Sequence, residues 1–160
     1  RWDDCVRTFK KHLNMATAVW RDERAASMRY IARACWNKGD TAQARDWYLR
    51  AITEAPHLRE PYIDLAVMLY ALEEWDGVLY FTSCALSITI RPRSYICEAA
   101  AWGSLPHDLR SIAFYHTGAY SEALAEVKKA LELEPENQRL QANLELMEQA
   151  ANRSQFTEKT

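Results

Sequence analysis

Apolar side chains recur along most of the chain at steps of three and four residues, the period of an amphipathic helix. Ile31, Ala32 and Cys35 mark one stripe, Ala44, Tyr48 and Ala51 the next, and Leu65, Ala66 and Leu69 a third. Val78 with Ala85 and Leu86, Ala113 with Phe114, Ala123 with Val127 and Ala130, and Leu140 with Leu144 and Met147 continue the pattern. The stripes are punctuated by Gly39, Pro56, Pro92, Gly118 and Pro135. The pattern predicts an all-α chain of short helices in succession.

The stripes come in pairs, and the pairs repeat. Residues 39–56, GDTAQARDWYLRAITEAP, and 118–135, GAYSEALAEVKKALELEP, have the same length, open on Gly, close on Pro and place alanines alike. Laid on a 34-residue period, one unit runs 25–58, a second 59–92 and a third 104–137. Alanines near both ends of a second helix, Ala44 and Ala51 or Ala123 and Ala130, let helix axes approach to about 8–10 Å. Tyr48 or Val127 fills the groove between them. Gly39 and Gly118 can take the left-handed conformation that ends a helix. Asp40 can cap the helix after it, with Gln43 three residues on, and Pro56, Pro92 and Pro135 disfavour helix in the residue before them. On these residues the chain resembles a tetratricopeptide-repeat protein. The resemblance implies a right-handed α-solenoid of antiparallel helix pairs, with about three repeats, an N-terminal half repeat and a C-terminal capping helix.

Unit two departs from the pattern. Glu73 stands where the turn glycine belongs and Thr82 where a bulky residue is usual, so looser packing is expected there. Pro56 to Pro92 is 36 residues but Pro92 to Pro135 is 43, which puts an insertion at 92–104, within PRSYICEAAAWGSLP. Long insertions in a compact array are more often functional than idle. Residues 2–14 read as the second helix of a unit whose first is missing. That half repeat points to a preceding domain and to an open apolar edge at Val6, Phe9 and Leu13. Residues 137–153 read as the polar-faced cap that such arrays need for solubility, and 154–160 as a disordered tail.

Composition then narrows the function. At 160 residues, 49% hydrophobic and 26% charged, the chain is one ordinary soluble domain. A net charge of −2 lacks the basic surplus that a nucleic-acid partner requires. No apolar run nears the roughly 20 residues of a membrane span, so no membrane partner is expected. With no signal-peptide pattern, a cytoplasmic location is expected. Cys5, Cys35, Cys84 and Cys97 are far apart without a CxxC pair, and the four histidines complete no cluster, so no metal site is expected. They read as reduced thiols packed as small hydrophobes. Four single glycines make no phosphate loop, and no spacing suggests a convergent nucleophile and base. No catalytic residue and no cofactor are expected.

What remains is a surface. In stacked helix pairs the first helix of each lines the concave side. That face would present Arg29, Tyr30, Arg33 and Trp36 from unit one, Asp64 and Tyr70 from unit two, and Tyr115 and His116 from unit three. Arg29, Arg33 and Trp36 share one helical stripe, and Arg and aromatic residues are over-represented at binding hot spots. A competing reading has Trp36, Tyr70 and Tyr115, which recur at one repeat position, pack on one another, and has the arginines solvated or paired with Asp64 and Glu60. Chaperone-binding tetratricopeptide domains clamp a carboxylate with Lys and Asn. The Asn positions here hold Tyr30 and Arg33, so chaperone tails are not expected ligands. The chain is expected to be a non-catalytic module that takes a protein or peptide in its groove, or that associates with itself.

A second resemblance is more particular. DERAASMRYIAR (22–33), WYLRAITEAPHLREPYIDLA (47–66) and PRSYICEAAAWGSLPHDLRSIAFYHTG (92–118) look like the C-terminal helical-repeat region of some bacterial family 2 glycosyltransferases. This implies an accessory domain that binds an acceptor, a partner or another copy of itself. The family's catalytic domain, with its DxD metal motif, would lie upstream, and none of its catalytic residues maps onto these positions.

Overall fold

The computed structural model describes residues 1–157. Its helices are α1 (Trp2–Leu13), α2 (Arg21–Asn37), α3 (Thr41–Glu54), α4 (Glu60–Ala71), α5 (Trp75–Ser87), a 3₁₀ turn (Ala99–Trp102), α6 (Leu105–His116), α7 (Tyr120–Leu133) and α8 (Gln138–Thr157). No strand occurs among the described residues. Helices α2–α3, α4–α5 and α6–α7 form three successive pairs, with α1 packed on α2 and α8 on α7.

Each pair is joined by the same turn. Gly39 and Gly118 adopt φ 82° and 81°, and Glu73 takes the matching left-handed place at φ 57°. In each turn two N–H groups reach back to orphan carbonyls of the preceding helix. Gly39 and Asp40 donate to Trp36 and Cys35, Glu73 and Glu74 to Tyr70 and Leu69, and Gly118 and Ala119 to Tyr115 and Phe114. This is the Schellman closure. Asp40 then accepts the Gln43 N–H at 3.0 Å and caps α3.

The second helices align position for position. Ala44, Val78 and Ala123 are fully enclosed, as are Ala51, Ala85 and Ala130, while Tyr48, Thr82 and Val127 fill the place between. Unit two was expected to be loose, but it is closed by different means. Thr82 satisfies its buried hydroxyl on the Val78 carbonyl at 2.6 Å. Gly77 lets α5 approach α4 so closely that a Cβ there would lie 2.8 Å from Leu69 Cδ1.

Two boundaries and one exposed edge differ from the sequence reading. Helix α5 ends at Ser87, not near Pro92, so the irregular segment begins at Ile88 and not at residue 92. Its first carbonyl is captured by Arg59, whose Nε–H donates to Ile88 at 2.8 Å. Helix α8 runs through Thr157, past the expected end at 153, so residues 154–157 are helix and not a tail. Residues 158–160 lie outside the described residues. Val6, Phe9 and Leu13, expected as an open edge, instead pack half-buried against the main core.

Candidate functional site

The segment 88–104 decides what the first helices present. Arg59, at the head of α4, lays its guanidinium 4.0 Å from the Trp102 ring centroid. Beside it the buried Glu60 accepts the Glu98 backbone N–H at 2.9 Å and the Trp102 Nε1–H at 3.1 Å. These bonds pin the insertion to α4 and aim the Glu98 carboxylate at α2. There it accepts from Arg29 at 2.9 Å and approaches Arg33 at 3.4 Å. Asp64 of α4 meets the same pair from the other side, at 2.8 Å to Arg29 Nε and 3.0 Å to Arg33.

The four groups form a neutral quartet. The Arg29 side chain keeps 4% of its surface exposed, Arg33 more. Burial works against both charges, but Asp64 and Glu98 outweigh it and raise both arginines above their ordinary value. Tyr48 lies close by, and burial, followed by the Asp64 charge, pushes its phenol well above the usual range. A charge this well matched has little pull left for an anionic ligand.

The C-terminal ends of α4 and α6 carry a different surface, a row of rings. Tyr70 meets Trp75 edge-on at 5.7 Å, Trp75 stacks on His116 at 4.2 Å and 2°, and His116 meets Tyr115 at 5.7 Å. Tyr115 in turn meets Tyr120 at 5.6 Å. Tyr70 and His116 are exposed, the others half-buried. Trp75 and Tyr120 each open a second helix, so the row joins units two and three.

The expected groove set therefore splits. Arg29 lies beneath the surface and Arg33 half out of it, both held by Asp64. Their second partner is Glu98, not Glu60, which is occupied by the insertion's backbone and indole. Tyr30 is exposed, stacked on Phe9 at 5.0 Å with the Arg33 guanidinium 5.6 Å away. Trp36 packs half-buried against the core. Tyr70, Tyr115 and His116 come together in the ring row, but Tyr70 and Tyr115 contact the first ring of their own second helix and not each other. Glu98 went unforeseen because the insertion has no periodicity to place it. The ring row had a signal, since Trp75 and Tyr120 hold the same repeat position in units two and three. Among the described residues no helix is long and apolar enough to cross a membrane, and no group of three or more His, Cys, Asp or Glu is placed to hold a metal ion.

Comparison with solved structures places this arrangement among tetratricopeptide-repeat folds. The first TPR domain of Spaghetti (RPAP3), solved bound to the HSP90 peptide SRMEEVD, superposes with TM-score 0.69 at 19% identity, covering 82% of this chain and 95% of that one. The first TPR domain of human RPAP3 gives 0.68 at 19% identity over 84% and 97%, and the Arabidopsis OM64 TPR domain 0.66 at 19% over 80% and 97%. No family model matches the chain. No curated protein matches it.

Proposed function

We propose that the chain is a non-catalytic interaction module whose ligand is a peptide or protein segment docking along the ring row of Tyr70, Trp75, Tyr115 and His116. The observation that carries this is the row itself, a run of rings left partly open on a surface whose arginines are already committed. Aromatic side chains offer large contact area at low entropic cost, the property that makes binding hot spots. Tyr30, Arg33 and Trp36 extend the surface toward unit one, with Asp64 and Arg29 as its underlying support. Solved relatives of this fold, one of them with a bound peptide, support the reading. Peptides selected from a random display library should bind with a Kd of around micromolar, roughly −8 kcal/mol. Tyr70→Ala with His116→Ala should weaken them at least tenfold without unfolding the chain. Selected peptides indifferent to both changes would overturn the site.

The resemblance over 22–33, 47–66 and 92–118 supports a finer reading, that the module serves a family 2 glycosyltransferase as an accessory domain in the cytoplasm. The reading frame upstream of Arg1 tests it. A nucleotide-sugar-binding domain with a DxD motif there supports the link, and any other neighbour removes it.

A further inference from the structure

The insertion does more than neutralise arginines. Folded back toward α2, it walls a pocket of about 410 Å³ against α1 and α2, lined by Phe9, Ser27 and Tyr30 on the helices and by Tyr95, Ile96 and Glu98 on the insertion. The walls are apolar where Phe9 stacks on Tyr30 and where the buried Ile96 faces in. The rim is Tyr95, a residue 79% exposed, whose ring leans edge-on against Trp20 at 5.7 Å and whose hydroxyl donates to Glu23.

The charges of this pocket do not cancel. Arg29 lines the floor but is committed to Asp64 and Glu98. Glu23 also lines the pocket, and its carboxylate accepts from the neutral Tyr95 phenol. His12, the other basic group of the lining, shares a hydrogen bond with the Ser27 hydroxyl through Nδ1 at 2.8 Å; counting histidine as neutral, one negative charge is left in excess beside an open aromatic face. An apolar sleeve ending at a carboxylate and a ring is complementary to a cation on an aliphatic stem.

We propose that this pocket binds a basic side chain of the partner, its stem along Phe9 and Ile96 and its head between Glu23 and the Tyr95 ring. A planar guanidinium, which stacks on an aromatic face and is weakly hydrated, fits better than a compact ammonium, so arginine is preferred over lysine. The pocket rests on the reading of the chain as a peptide-binding module, and it gives that module a specificity element distant from the ring row.

The test is a titration of the whole ¹⁵N-labelled chain with n-butylguanidine, n-pentylamine and valerate, followed by amide shifts. Butylguanidine should move the amides of Ser27, Tyr95 and Ile96 saturably and more tightly than pentylamine, and valerate should leave them unmoved. Glu23→Gln and, separately, Tyr95→Ala should each weaken butylguanidine at least tenfold. Both sites face solvent in part, and retained dispersion of the spectrum confirms folding. Absence of saturation, shifts spread over the whole acidic surface, or butylguanidine binding unchanged in Glu23→Gln would each overturn the pocket. Because the probes contain no peptide, such a failure leaves the ring row untouched. Loss of selected peptides through Tyr70→Ala and His116→Ala with no butylguanidine site present would retain the module and remove only this pocket.

Discussion

Two stretches of the same helical lattice meet solvent in opposite ways. In the N-terminal half, Arg29 and Arg33 are matched by Asp64 and by Glu98 from the insertion. In the C-terminal half, Asp108 occupies the repeat position of Arg29 and pairs with Arg139 of α8 at 2.6 Å; the carboxylate is enclosed, at 8% exposed, but 57% of the Arg139 side chain stays in water. The two halves bury Asp64 and Asp108 alike and differ in whether the arginine is covered. Uncovered by any insertion, the second half leaves its rings available. The difference teaches that repeat position sets where a side chain stands, while what lies over it sets what it is worth.

The sharpest way to break the comparison is to remove one carboxylate from each half's network or its counterpart. Asp64→Ala leaves the buried Arg29 with Glu98 alone, and stripping a partner from a buried charge costs about 3–5 kcal/mol. Arg139→Ala strips the partner from the enclosed Asp108 carboxylate, but water already reaches the Arg139 head and can take its place, so the loss should be smaller, about 1–3 kcal/mol. Urea unfolding of the two variants beside the parent chain measures both. Equal losses would mean that the insertion does not desolvate the quartet.

Acid provides the second contrast, between the ring half's own scaffold and the quartet. Glu126 of α7 is enclosed between His107 at 2.7 Å, Lys129 at 3.0 Å and Arg110 at 3.4 Å. Burial acts to raise its carboxyl, but the His107 and Lys129 hydrogen bonds and the Arg110 charge prevail and hold it down to about 2, against an ordinary 4.5. A depressed carboxyl contributes its stability above the unfolded value and loses it as pH falls from 4.5 through about 2. At 1.36 kcal/mol per unit, roughly 3 kcal/mol is at stake. Stability measured by urea unfolding between pH 6 and pH 2 should therefore fall more steeply for the parent than for Glu126→Gln. Parallel curves would remove Glu126 as a support of the α6–α7 pair.

Much of the lattice was legible in the sequence because its physics is local. Gly39 and Gly118 take the conformation that only their lack of a Cβ makes easy, and the alanines at 44, 51, 123 and 130 are the enclosed contacts their size requires. Asp40 caps by a bond to a residue three away. The sites were less legible because they are made by distant partners. Glu98 reaches residues 69 and 65 positions away in sequence, through a segment whose path is set by Arg59, Glu60 and Trp102 and not by any period. Pro92 misled for the same reason, since the end of α5 is fixed by the guanidinium of Arg59 and not by the proline. Thr82 suggested looseness because its volume was legible and the close approach at Gly77 was not.

Glu73, between the two halves, gives the smallest effect and the most local one. It closes the α4–α5 turn with the same two backbone bonds as Gly39 and Gly118, at φ 57°, but carries a Cβ. For an L-residue the left-handed region costs about 1–2 kcal/mol. Glycine there relieves the strain and gives back part of it through the greater freedom of the unfolded chain. Glu73→Gly should thus stabilise by about 1 kcal/mol, a rise in Tm of roughly 2–4 °C for a chain of this size, read by thermal unfolding. The turn lies two residues before Trp75, so the same variant also asks whether strain there holds the ring row in place. Unchanged peptide affinity with a raised Tm would make Glu73 a local cost of unit two. A raised Tm with weakened binding would instead tie the strained turn to the open surface, because relaxing the backbone at residue 73 moves the first ring of α5 before it moves anything in the quartet.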